Sequence, residues 1–137
     1  MKRIMLTILQ IAALLALQSC SLPEVKKAKF QKDTKEVINE LKSLKDFEEA
    51  EIKWSASSLD NKTTNILIVH LLNGKDLTDN EADLRDLGKE AIKIVISSIE
   101  NEKDYDKFQV VFIQKASTGL VTTSFTRPFE YSLDELK

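Results

Sequence analysis

The chain has 137 residues, enough for one domain of modest size, with 20 basic and 22 acidic residues and a formal net charge of −2. This mildly acidic balance argues against a nucleic-acid-binding protein, which would present a basic patch. The single cysteine leaves no partner for a disulfide within the chain and no set of thiolates for a structural metal site.

The N-terminus opens with Met1, Lys2 and Arg3 and continues as an almost unbroken apolar run over 4–17. A short positive region followed by an apolar segment of this length is typical of a secretory signal peptide. The run is too short for a transmembrane helix, which needs roughly 20 predominantly apolar residues.

The one cysteine lies soon after this run, in the sequence Leu17, Gln18, Ser19, Cys20. This segment resembles the lipobox of bacterial lipoprotein precursors, with an aliphatic residue three positions before the cysteine and a small residue immediately before it. The resemblance covers 1–20 and implies cleavage between Ser19 and Cys20, with a covalent diacylglycerol and an N-acyl chain on Cys20 and no other cofactor. Acyl chains contribute about 0.8 kcal/mol per buried methylene, so two or three of them hold a protein on a membrane. The alternative is an ordinary cleaved signal peptide with an incidental or structural cysteine.

The resemblance predicts three regions, namely a cleaved signal peptide (1–19), a lipid-anchored tether (20–29) and a single domain (30–137). Loss of the first 19 of 137 residues leaves 118, and because those 19 include two basic and no acidic residues, the net charge becomes −4. Ser21 stands where aspartate would imply retention at the inner membrane. The resemblance therefore implies the periplasmic face of the outer membrane, or the cell surface in a cell with one membrane.

The first half of the domain reads as a helix followed by two strands. Apolar residues recur at three- and four-residue steps from Phe30 to Leu44, which predicts an amphipathic helix ending near Lys45. Ile52 and Trp54 alternate with polar residues, as in a half-buried strand. We expect a loop over 59–65, and then an interior strand over 66–72 that is covered on both sides or packed against its neighbours.

The second half repeats this order of elements. Thr78 and Glu81 predict a capping box before a long apolar helix that extends to Ile99. A strand over 108–115, a hairpin turn over 116–120 and a last strand over 121–131 follow, and Pro128 marks the last strand as an edge. The predicted fold is an α+β two-layer sandwich with the order helix, strand, strand, helix, strand, strand, in which a four-stranded, mostly antiparallel sheet carries its helices on one face.

Residues with catalytic potential are few. His70 is the only histidine and lies within the most apolar strand, without a nucleophile or an orienting carboxylate nearby in the sequence. The acidic stretch 76–86 lacks the turn glycine and the final glutamate of a calcium loop. We therefore expect a protein that is not an enzyme and has no metal site, while a hydrolase using His70 is a weaker hypothesis.

The last strand supplies a candidate partner surface made of Phe125, Phe129 and Tyr131. Exposed aromatic residues on a strand can recruit another protein, although aromatic residues are also ordinary core residues of strands. The expected function is a non-enzymatic lipoprotein that is anchored to a membrane through its lipid and docks or assembles with another cell-envelope protein. The alternative is a carrier that binds an apolar small molecule or lipid between helices and sheet, suggested by four phenylalanines, Phe108, Phe112, Phe125 and Phe129.

Overall fold

A computed structural model describes residues 22–137. Within that range the chain forms helices α1 (Thr34–Ser43) and α2 (Glu81–Ile96), strands β1 (Glu49–Leu59), β2 (Lys62–Leu72), β3 (Lys107–Ser117) and β4 (Thr122–Tyr131), and short 3₁₀ helices at Glu102–Asp104 and Asp134–Leu136. The element order is the predicted one.

The four strands form one sheet in the order β1-β2-β3-β4. Strands β1 and β2 form an antiparallel hairpin, as do β3 and β4, and the two hairpins meet through the parallel pair β2 and β3. The predicted α+β sandwich with a mostly antiparallel sheet is thereby confirmed. Strand β4 is an edge, where the missing N–H of Pro128 costs no hydrogen bond to a further strand.

The first hairpin is longer than the sequence suggested. Asp60 and Asn61 have φ values of 50° and 62°, so two residues make the turn and Leu59 pairs with Lys62. Positive φ at both central residues matches a turn whose twist fits the flanking strands. The prediction of a loop over 59–65 was wrong, because the polar residues after Asn61 continue the ladder.

Helix α1 begins at Thr34, four residues later than the apolar pattern predicted. Asp33 is its N-cap, and the Asp33 side chain accepts a hydrogen bond from the Lys35 N–H at 2.9 Å. Phe30 forms an isolated antiparallel bridge with Ile99 instead of a first helical turn.

Helix α2 is capped by Asn80 rather than by the predicted Thr78. The Asn80 side-chain oxygen accepts hydrogen bonds from the N–H groups of Ala82 and Asp83, at 2.9 and 3.4 Å. The Thr78 hydroxyl accepts from the Asn80 N–H at 3.0 Å, so Thr78 orders the turn before the helix. The predicted capping box was wrong because asparagine two residues later is the better N-cap.

Both helices contribute their buried residues to a core on one face of the sheet. The Phe112 ring lies at its centre, with ring centroids 6.1 Å from Phe47 and 6.0 Å from Phe129. The Tyr131 hydroxyl donates to the Arg85 carbonyl of α2 at 2.7 Å. Burial raises the pKa of Tyr131 to about 12, so this hydroxyl remains a donor at neutral pH.

Residues 26–31, which we call the strap, lie against the end of the domain where β2 and β3 begin. Asn101 accepts a hydrogen bond from the Lys29 N–H at 2.8 Å, and the Tyr105 hydroxyl donates to the Lys26 carbonyl at 3.0 Å. The Lys26 N–H reaches the side chain of Asn65, on β2, at 3.5 Å. These contacts fix the end of the sheet at which the chain enters the domain.

Candidate interaction face of the sheet

The predicted lipidation and cleavage residues, Cys20 and Ser19, lie outside the described residues. Their roles therefore stay predictions from the lipobox resemblance.

The aromatic residues of β4 are placed differently from one another. Phe129 and Tyr131 are buried, with 6% and 4% of their surfaces exposed, and both belong to the core. Phe125 is 46% exposed, and the Arg127 guanidinium lies 4.6 Å from the centre of its ring. Of the three residues proposed as a partner surface, Phe125 alone is accessible to a partner. All three lie on the helical side of β4, but the core covers only Phe129 and Tyr131, and Phe125 lies nearer the β3–β4 turn.

A second group of apolar side chains lies on the opposite side of the sheet from the helices. We call this side the open face, and its centre consists of alternate residues of β2 and β3, namely Ile66, Ile68, His70, Leu72, Val111 and Ile113. Successive side chains of a strand point to opposite faces, so these residues alternate with the core residues Leu67, Val69, Leu71, Val110 and Phe112.

The open face does not contact the main core. Val111 is 8% exposed, yet it is absent from the core cluster that contains the buried residues of both helices. Ile66, Ile68 and Ile113 are half-buried and are also absent from the residues packed against that cluster. Neighbouring strands alone shield these side chains within the part of the chain that the structure describes. This arrangement matches the second of the two alternatives predicted for 66–72, an interior strand packed against its neighbours, and not a strand covered on both sides.

Charged side chains border the apolar centre on both edges of the sheet. On β1, Lys53 pairs with Glu51 at 2.9 Å. On the other edge, Lys107 of β3 pairs with Glu130 of β4 at 3.3 Å. All four side chains are about half-exposed, so each pair is worth little to stability but gives each edge both signs of charge.

His70 lies in the middle of the open face, opposite Glu51 in the β1–β2 register. Its partial burial and the nearby Lys53 ammonium lower its pKa, while Glu51 acts in the opposite direction. His70 is therefore neutral at neutral pH, and it adds a polar but uncharged ring to the apolar centre.

Among residues 22–137 no group of three or more His, Cys, Asp or Glu side chains is arranged to hold a metal ion. In the same range, no helix combines the length and apolar character needed to cross a membrane. The arrangement around His70 is an apolar surface with a charged border, which can bury against another surface.

Comparison with known proteins gives no family. The chain matches no family model, no curated protein and no solved structure.

The sequence predicts the open face only in part. The run 66–72 is apolar on both of its period-2 faces, which is the signal that marks it. The sequence does not show which of the two faces lies under the helices. One face stays uncovered because both helices cross on the same side.

Proposed function

We propose that this protein is a small bacterial lipoprotein, anchored through acylated Cys20, that docks or assembles with a protein partner of the cell envelope through the open face and has no enzymatic activity of its own. The anchor follows from the lipobox resemblance, which also favours the periplasmic side of the outer membrane. The observation that carries the docking role is the half-buried apolar centre of the open face.

Several features of the open face suit a protein partner. Its apolar centre extends across β2 and β3, and a charged pair lies on each side of it, as in interfaces with an apolar core and a polar rim. Ile68 and Ile113 stay partly accessible there, whereas the helical side of β2 and β3 buries residues such as Val69 and Val110 completely. Apolar surface that stays partly accessible in this way is typical of interaction sites.

No specific observation favours either alternative, the carrier or the hydrolase. The phenylalanines that suggested a carrier are divided: Phe108, Phe112 and Phe129 are packed in the core with neighbouring rings, whereas Phe125 lies outside it. A hydrolase would need a nucleophile or an orienting group beside His70, and the charged groups that act on His70 are Lys53 and Glu51.

The docking role is tested by photo-crosslinking in cells that express the full chain. A photoactivatable side chain replaces Thr126, which lies on β4 next to Ile113 on the open face, or Asn39, which is exposed on α1. We expect an adduct from position 126 and none from position 39. We also expect Ile68→Asp to abolish the adduct from position 126, because a carboxylate in the apolar centre opposes burial.

The control for Ile68→Asp is Asn39→Asp, which adds the same charge on the helical side. Intact mass spectrometry of the purified protein reports acylation of Cys20. An unacylated protein in the soluble fraction would contradict the anchor. Adducts from position 126 that survive Ile68→Asp would contradict the docking face.

A further inference from the structure

We propose that the partner of the open face is a second copy of this chain, packed face to face about a two-fold axis that runs parallel to the strands. This inference rests on the proposed function, since it names the partner of the proposed docking face. The dimer would be a four-layer assembly with two sheets in the middle and the helices outside.

The charges of the open face are complementary to themselves in this arrangement. The strand registers place Lys53, Ile68, Gln109 and Glu130 in one row across the sheet. A two-fold axis parallel to the strands exchanges the left and right edges of the sheet and keeps each row at its own height. Lys53 of one copy then lies opposite Glu130 of the other, and the same pair forms again on the far side of the axis.

The same operation brings uncharged groups together over most of the middle. Strand β2 of one copy faces β3 of the other, so Leu72 lies opposite Ile113, His70 opposite Val111 and Ile68 opposite Gln109, while Lys107 lies opposite Ile66 at the end of the sheet nearer the strap. His70 carries no charge at neutral pH, and no row places two like charges opposite each other. The three central rows therefore combine apolar residues with two uncharged polar ones, and the ion pairs lie beside them, as in interfaces with a polar rim.

The position of the strap favours this axis over an axis perpendicular to the strands. Each strap enters at the end of the sheet where β2 and β3 begin, and an axis parallel to the strands keeps both entry points at the same end. Cys20 precedes Lys26 by six residues, a span of at most about 20 Å. Both anchors then reach one membrane, whereas the perpendicular axis would place them at opposite ends of the dimer.

The size of the face indicates a weak dimer that the membrane strengthens. Four strands about 4.8 Å apart and four rows about 6.8 Å apart give an area of roughly 500 Å² per copy. The total, roughly 1,000 Å², is at the lower limit of specific interfaces. Anchoring on one membrane raises the effective concentration of the second copy, which compensates for a small contact area.

The test uses the full, acylated chain in lipid vesicles with a short thiol-reactive crosslinker. Gln109→Cys places a thiol beside the proposed axis, where the two sheets lie about 10 Å apart. Glu90→Cys, exposed on α2, is the matched control. We expect Gln109→Cys to give at least a five-fold higher yield of crosslinked dimer than Glu90→Cys, and equal yields would overturn the proposal.

Charge reversal tests the pairing of Lys53 with Glu130. In the Gln109→Cys background, Lys53→Glu alone and Glu130→Lys alone should each lower the yield several-fold, because each places like charges opposite each other twice. A mixture of the two variant chains should restore the yield, because both pairs then become attractive again. Single reversals without loss, or a mixture without recovery, would overturn the proposed axis.

The parent chain separates a failed dimer from a failed anchor. Acylation occupies the Cys20 sulfur, so a parent chain that reacts with the crosslinker would contradict the anchor. An acylated chain that gives no dimer but keeps its position-126 adducts with another protein would overturn the second copy as partner and leave the docking role standing.

Discussion

His70 is the titratable residue in the middle of the open face. It lies among apolar side chains, with Lys53 and Glu51 as the charged groups that act on it. Desolvation opposes the charged imidazolium, and the Lys53 ammonium opposes it further. Both effects lower the pKa of His70, so the ring is uncharged at neutral pH.

We predict that His70 titrates below its usual value of 6.5, and that Lys53→Ala raises its pKa while Glu51→Gln lowers it further. The unfolded chain binds the proton first as the pH falls, so the stability attributed to His70 is complete above about pH 6.5 and declines as the pH drops toward the folded pKa. Because the chain has one histidine, its ring protons give a single NMR titration curve.

The control for this titration is Glu90→Gln, which removes a charge from the exposed side of α2. It should leave the curve unchanged. A parent pKa at or above 6.5, or a Lys53→Ala curve shifted downward, would show that burial and the ammonium do not control this ring.

At the level of elements, α2 and β4 approach each other closely at one glycine. A Cβ atom built on Gly88 would lie 2.2 Å from the Tyr131 hydroxyl and 3.2 Å from its ring carbon Cζ. The hydroxyl cannot easily move, because it is hydrogen-bonded to the Arg85 carbonyl at 2.7 Å. Glycine is thus required here by contact rather than by backbone conformation.

Gly88→Ala should destabilise the protein by about 1 to 2 kcal/mol, because overpacking outweighs the better helix propensity of alanine. Tyr131→Phe should cost about 1 kcal/mol through loss of the hydrogen bond. In the Tyr131→Phe background, Gly88→Ala should cost clearly less, since the closest atom is gone. Urea denaturation, monitored by Trp54 fluorescence, measures the free energy of unfolding of the parent chain, the two single variants and the double variant.

Glu90→Ala, on the exposed side of the same helix, is the control and should change stability by less than about 0.5 kcal/mol. Additive effects of Gly88→Ala and Tyr131→Phe would indicate that the contact between helix and strand is looser than described.

At the level of the whole molecule, the strap determines at which end of the sheet the chain enters the domain. Asn101 links three groups, since it accepts from the Lys29 N–H at 2.8 Å, donates to the Lys27 carbonyl at 3.0 Å and donates to Asp104 at 2.9 Å. Residues 26–31 therefore belong structurally to the domain, and the free part of any anchored tether is shorter than its sequence suggests.

Asn101→Ala should release the strap without unfolding the sheet. Loss of bonds worth about 1 to 2 kcal/mol raises the population of the open strap by roughly 5- to 30-fold. Limited trypsin digestion should then cut at Lys26, Lys27 or Lys29 faster by a similar factor. Trypsin should cut the control variant Asn39→Ala at the parental rate. An unchanged cleavage rate in Asn101→Ala would show that other contacts hold the strap.

The sequence by itself determined the order of elements and the fold class, because apolar periodicity reports directly which residues of a helix or strand share a face. It identified the edge at Pro128 from the missing N–H. It missed the hairpin at Asp60 and Asn61 and the cap at Asn80, since several polar residues compete for such local roles.

Only the tertiary structure decided which side of the sheet stays open. Strand alternation creates two apolar faces on β2 and β3, and both helices cross the same one, burying Phe129 and Tyr131 and leaving Ile68 and Ile113 accessible. That outcome depends on the side to which each connection turns, and on contacts between residues far apart in the chain. Local periodicity carries no information on either, so the candidate interaction face emerges only once the layers are assembled.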